Sequence, residues 1–175
     1  MRIISGIYKS RKLIAPEGNQ VRPTGDRAKE TLFNILENRF SFVGTICLDA
    51  FCGTGNLGLE CISRGAQKCY FVDADIRPVK KNLELLKTGN KCEVIKSETL
   101  DYLNKKTADK YDFIFCDPPY NYGKFDELIK AAFEHKPVFI LEHSGKINID
   151  DNYEPQLIMH KKIGTINFSI YDFRK

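Results

Sequence analysis

The residues in this chain with the most specific chemistry are Asp117-Pro118-Pro119-Tyr120. Two consecutive prolines fix their own φ angles and remove two amide donors. The proline after Asp117 also holds that residue extended. The product is a rigid corner that presents acceptors: the Asp117 carboxylate and the backbone carbonyl of Pro118. An exocyclic amine has two hydrogens, and two acceptors can take both. The nitrogen lone pair is then aimed at an electrophile, and positioning of this kind is a large part of catalysis by displacement. The carboxylate also steadies positive charge on the attacking nitrogen. Tyr120 offers a ring face on which a base can stack. By itself such a corner could be only a turn closing a strand.

A second group of residues lies upstream. Gly53, Gly55 and Gly58 form a GxGxxG directly after the run TICLDAF. That pattern permits a tight turn and close approach of a ligand to backbone. Asp73 follows Gly53 by 20 positions, where an acid would accept hydrogen bonds from ribose hydroxyls. Asp49, just before the loop, disfavours a pyrophosphate and suits a ligand bearing an ammonium and a sulfonium. Ser97 and Glu98 stand where an adenine could be read, and they could equally open a helix. The set Asp49, Gly53, Gly55, Asp73, Ser97 and Glu98 is therefore the expected ligand site; a dinucleotide or S-adenosylmethionine fits it, and Asp49 suits S-adenosylmethionine better.

These residues need a scaffold. Strand-like runs occupy 45–51, 68–74, 92–96, 111–117 and 137–143, with helix-like stretches at 56–64, 76–88, 98–106 and 124–135. Near-continuous apolar strands alternating with helices imply a parallel α/β sheet covered on both faces. Residues 153–162 and 166–173 read as a terminal hairpin around Gly164, with one strand antiparallel to the rest. Two short strands, 2–8 and 11–16, are expected at the N-terminus. A helix should open after Pro23-Thr24-Gly25-Asp26, with Thr24 as N-cap and Ala28, Leu32, Ile35 and Leu36 facing a core. Arg27, Glu30, Thr31 and Asn34 fall on its other faces. The expected division is an N-terminal hairpin extension, 1–23, and a catalytic domain, 24–175.

Bulk properties narrow the function classes. No apolar run is long enough to span a membrane, and the first residues lack a secretory pattern, so a cytoplasmic location is expected. Six cysteines form no CxxC pair and three histidines show no ligand spacing; buried free thiols and no metal site are expected. Residues 1–40 hold eight Lys/Arg against four Asp/Glu, whereas residues 41–175 hold nineteen of each. The excess of positive charge is thus N-terminal. Arg2, Lys9, Arg11 and Lys12 form a patch suited to a phosphate backbone.

The stretches RIISGIYKSRKL, RPTGDRAKETLFNIL, LDAFCGTGNLGLE and DPPY together resemble the bacterial 16S ribosomal RNA guanine-N2 methyltransferase family, over nearly the whole chain. The resemblance implies a Rossmann-like class I methyltransferase with a seven-stranded, mostly parallel sheet and a small N-terminal hairpin extension. It implies S-adenosylmethionine as donor and the ribosomal RNA of an assembling small ribosomal subunit as substrate. It places Gly53, Gly55 and Asp73 against the donor, Glu98 near its adenine, and Asp117 to Tyr120 around the guanine. Thr24, Arg27 and Asn34 match a family stretch that would border the pocket. Cys52, Asp73 and Glu98 depart from the family's more usual Ala, Glu and Asp. A monomer is the expected state. The competing readings are a DNA adenine-N6 methyltransferase, a non-catalytic RNA-binding module with a vestigial pocket, and a nicotinamide-linked oxidoreductase, which would leave DPPY without a role.

Overall fold

A computed structural model describes residues 1–15, 25–105, 110–145, 147 and 151–174. Five parallel strands form its centre: β1 (Ile46–Ala50), β2 (Lys68–Asp73), β3 (Cys92–Lys96), β4 (Phe113–Cys116) and β5 (Val138–His143). Two further strands, β6 (Leu157–Ile163) and β7 (Ile166–Asp172), complete a seven-stranded sheet of order β3-β2-β1-β4-β5-β7-β6. β7 pairs antiparallel with both β5 and β6, so it alone runs against the others. The Gly164 turn, at φ 63°, links β6 and β7 into a hairpin. The segment before β6 is a 3-10 turn, Asp151–Gln156, where the sequence suggested strand. Pro155 has no N–H to give a ladder there.

Alternation along each strand sends side chains to two cores. Cys47, Phe113, Phe115 and Ile140 point to one, together with α1 (Asp26–Glu37), α2 (Asn56–Ser63) and α3 (Arg77–Leu86). Leu48, Ala50, Ile114 and Leu141 point to the other, under α4 (Thr99–Leu103) and α5 (Phe125–Phe133). The strands are apolar on both faces because helices cover both. Five cysteines are buried free thiols, and Cys92 is partly exposed. Among the described residues no group of side chains could hold a metal ion, and no helix is long and apolar enough to cross a membrane.

Two expectations change at the N-terminus. In place of two regular strands there is a single antiparallel bridge, Arg2 to Lys12, around a turn that includes Gly6 and Ser10 at positive φ. The reason is competition for backbone donors. Glu60 on α2 accepts from Ile4 N at 2.8 Å and Ser5 N at 3.0 Å, while Ser63 takes Ile7 N on its carbonyl and Tyr8 N on its hydroxyl. A sister strand cannot pair with amides already bound to a helix. The segment passes so close to α2 that a Cβ on Gly6 would lie 1.7 Å from the Ser63 carbonyl oxygen. At the start of α1 the capping position is held by Gly25, without a side-chain bond. Thr24 and the expected boundary at residues 23 and 24 lie outside the described residues. Asp26 does occupy the first turn, where its charge suits the helix dipole. Ile35 is only partly buried, whereas Lys29, on the same stripe as Leu32, Phe33 and Leu36, is fully buried.

Candidate active site

The carboxyl ends of β1, β2 and β4 open onto one cavity of about 970 Å³. It lies where strand order reverses about β1, the place where open α/β sheets bind ligands. Asp49, at the end of β1, is 2% exposed, and its carboxylate accepts the Gly58 N–H at 2.8 Å. Burial pushes its pKa up to about 8, and the charge of Asp73 adds to that; the Gly58 N–H and Lys29 oppose it. A positive charge brought beside this carboxyl would favour its ionised form.

The loop then turns sharply. Phe51 has φ 58°, Gly53 φ 51° and Gly55 φ 77°. Phe51 is not glycine, yet it adopts the left-handed conformation, held with its ring edge-on to Tyr122 at 5.2 Å. Gly58 serves packing: a Cβ there would meet Phe71 at 2.5 Å and Cys69 at 2.6 Å. Asp73 fixes the loop from the neighbouring strand. One of its oxygens accepts Gly53 N at 2.9 Å and the other accepts Asp75 N at 2.9 Å. Each oxygen retains a lone pair for a hydroxyl.

Ser97 does not line the cavity; its hydroxyl donates to the Glu98 carbonyl. Glu98 lines it and stands at the N-cap of α4 without a side-chain cap bond. The helix starts one residue later than the sequence suggested because Ser97 N is still bonded to the Asp73 carbonyl, extending the sheet.

Opposite the glycine loop stands the corner. Asp117 follows β4, with its N–H 3.5 Å from the Ala50 carbonyl. Its carboxyl pKa is pushed well up by burial first, then by the charges of Glu142 and Asp49. The Pro119 carbonyl closes a turn by accepting Tyr122 N at 2.8 Å. Among the described residues nothing donates to the Pro118 carbonyl. Tyr120 is 65% exposed at the cavity rim, an unusual position for a large ring. Asp117, Pro118, Pro119 and Tyr120 thus share one cavity with Asp49, Gly53, Asp73 and Glu98.

The remaining expected residues lie elsewhere. Arg27 and Asn34 lie on α1 and do not line the cavity. Lys9 and Lys12 are exposed on the N-terminal segment, Arg11 donates to the Leu85 carbonyl at 3.1 Å, and Arg2 pairs with Asp26 at 3.3 Å. That segment reaches the cavity through Ile14 and Ala15.

Several contributors escaped the sequence reading. Lys29 donates to the Arg2 carbonyl and to Asn56 Oδ1, each at 2.7 Å, and pairs with Glu60 at 3.1 Å. Burial lowers its pKa, against the attraction of Glu60. Its place on an apolar helical stripe was the available signal. Phe51 gave none, and neither did Asn82 on α3, which bonds the backbones of Ile14 and Thr54, because their roles depend on what packs against them.

Fold and cavity define a Rossmann-like class I methyltransferase that uses S-adenosylmethionine as methyl donor. The chain matches the family described as Conserved hypothetical protein 95 over residues 1–172. It is 34% identical to the ribosomal RNA small subunit methyltransferase D of Haemophilus influenzae, covering 98% of this chain and 93% of that protein. The protein of the same name from Buchnera aphidicola is 39% identical over 97% of this chain and 84% of its own length. The solved Escherichia coli structure of yhhF superposes with TM-score 0.79 at 32% identity, covering 98% of this chain and 97% of that one. The chain belongs to the ribosomal RNA small subunit methyltransferase D family.

Proposed function

We propose that this protein methylates the exocyclic N2 amine of a guanine in the 16S ribosomal RNA of the small ribosomal subunit. The names of its relatives support ribosomal RNA as the substrate class. The observation that carries the amine chemistry is the corner: a carboxylate, a Pro118 carbonyl with no donor among the described residues and an exposed aromatic ring, all bordering the donor cavity.

The residues that would hold the donor are Asp49, beside its cationic groups, Gly53 through backbone, Asp73 at the ribose and Glu98 near the adenine; Gly55, expected beside them, does not line the cavity, and its N–H and carbonyl are taken by Cys52 and Leu59, so it shapes the loop. Bound S-adenosylmethionine supplies an electrophilic methyl group, and its sulfur keeps the electron pair of the bond that breaks. Asp117 and the Pro118 carbonyl take the two amine hydrogens and turn the nitrogen lone pair toward the donor cavity. Tyr120 stacks on the base. The nitrogen must lose a proton once methylated. Asp117 is placed to accept it. Arg2, Lys9, Arg11 and Lys12, with Arg27 and Asn34, are proposed to contact RNA outside the pocket; Thr24, expected to border it, lies outside the described residues.

The test is transfer of labelled methyl to small-subunit particles lacking the modification, beside naked RNA and duplex DNA, followed by digestion to nucleosides. N2-methylguanosine from RNA is the expected product. Label on adenine in DNA would overturn the substrate and leave the donor site standing. Donor binding without transfer to any of them would favour a non-catalytic RNA-binding module.

A further inference from the structure

The corner has a second side. β4 and β5 pair in parallel with Cys116 opposite Leu141, so the next residues, Asp117 just past the end of β4 and Glu142 still within β5, lie side by side. Phe115 and Ile140, two positions earlier on each strand, share one core. Alternation therefore sends Asp117 and Glu142 to the same face. Glu142 is 7% exposed. It borders a small pocket whose other walls include all four corner residues, Asp117 to Tyr120. The same four residues border the donor cavity, so the corner stands between donor and pocket. The pocket volume is about 20 Å³, room for the polar edge of a ring and not for the ring itself.

Two adjacent carboxylates repel each other, and among charges Glu142 has the largest effect on Asp117. A base edge that brings adjacent N–H donors relieves both at once. Among bases with an exocyclic amine, only guanine carries a ring N–H beside it. Adenine and cytosine present a lone pair at that ring position, which a carboxylate repels.

We propose that Glu142 accepts the N1–H of the target guanine and is the residue that selects guanine over other amine-bearing bases. The proposal rests on the guanine-N2 reading above. Glu142 acts on base choice, while Asp117 and Pro118 hold the amine.

The test uses 2-aminopurine, which keeps the N2 amine and lacks the N1 proton. Small-subunit RNA is assembled with guanine or 2-aminopurine at the position that nucleoside mapping shows to be methylated. The wild-type protein should prefer guanine by about 100-fold or more in kcat/KM, the penalty for leaving a buried acceptor facing a lone pair. Glu142→Gln should narrow that preference to roughly tenfold or less, because an amide can turn to donate to the unprotonated nitrogen. An unchanged preference in Glu142→Gln, or a wild-type protein that methylates both RNAs equally, would overturn the role. Donor binding by calorimetry reports on folding. If Glu142→Gln lacks it, Glu142→Asp serves instead: lost kcat/KM on guanine with little change on 2-aminopurine supports the role, and equal losses on both reject it. Failure of the wild-type protein to make N2-methylguanosine at all would strike the guanine reading itself, a different result from any of these.

Discussion

Asn82 on α3 holds the backbone of Ile14 from both sides. Its Oδ1 accepts Ile14 N at 2.7 Å, and its Nδ2 donates to the Ile14 carbonyl at 3.2 Å and to the Thr54 carbonyl at 2.9 Å. One fully buried amide thereby ties the N-terminal segment to the glycine loop, and both border the donor cavity. Asn82→Ala takes this partner from the buried Thr54 carbonyl and from the part-buried N–H and carbonyl of Ile14, and should cost about 3 kcal/mol of stability. It should also weaken donor binding, because Ile14 and Ala15 lose their anchor. Thermal unfolding and calorimetric titration check the two effects separately, and undiminished donor affinity would refute the second.

Asp49 predicts a trade between stability and binding. Its carboxyl is raised from 3.8 to about 8 in the folded protein. Below about pH 4 both folded and unfolded chains hold the proton, and there is no cost. Between about pH 4 and 8 the unfolded chain is ionised while the fold still binds the proton, so the contribution to stability falls as pH rises. Asp49→Asn keeps an acceptor for Gly58 and removes the titration. The variant should be more stable than the parent near pH 7 by roughly 2 kcal/mol without donor, yet bind donor poorly. In the parent, donor affinity should increase from about pH 6 to about pH 8 as Asp49 ionises. Denaturant melts and donor titrations across that range decide it; a pH-independent stability difference would count against the assignment.

Asp117→Ala should abolish methyl transfer while leaving donor affinity within a few fold. The side chain meets the amine, and the donor's expected contacts are Asp49, Gly53, Asp73 and Glu98. Equal loss of binding and transfer, measured by calorimetry and labelled-methyl incorporation, would overturn that division. Tyr120→Ala should raise KM more than it lowers kcat, by roughly 1–3 kcal/mol of forfeited stacking.

Gly6 is where the N-terminal segment can be detached. A Cβ at φ 82° would enter the Ser63 carbonyl, so Gly6→Ala should cost more than about 2 kcal/mol through clash and strain together. Neutralising Arg2, Lys9, Arg11 and Lys12 tests the same segment without disturbing its seat on α2. RNA binding should weaken, and the salt dependence should become shallower by about 0.7–0.9 for each phosphate that is no longer neutralised. Filter binding over a salt series gives the slope, and an unaltered slope would remove this surface from the RNA interface.

Residues that act through local rules were legible in the sequence. The strands β1, β2, β4 and β5 announced themselves as apolar runs, and the corner at Asp117 is fixed by its own prolines. Asp73 could be placed because loop, strand and acid follow one another at short range. Lys29, Asn82 and Glu142 were not legible as partners. Lys29 meets Glu60 only when α1 lies against α2, Asn82 meets Ile14 across 68 positions, and Glu142 meets Asp117 only through the register of two strands. The paired strands expected at the N-terminus failed for a related reason: no pattern within residues 2–16 reveals that Glu60 and Ser63 will claim their amides.

The seat of that N-terminal segment also sets an order of events during synthesis. Residues 1–15 leave the ribosome before the helices they rest on. Glu60 and Ser63 come some fifty-five positions later and Asn82 later still. This basic segment must therefore wait until α2 and α3 have formed, and only then can it become a wall of the cavity. The donor pocket is complete only after an earlier stretch of the chain has been captured by later ones.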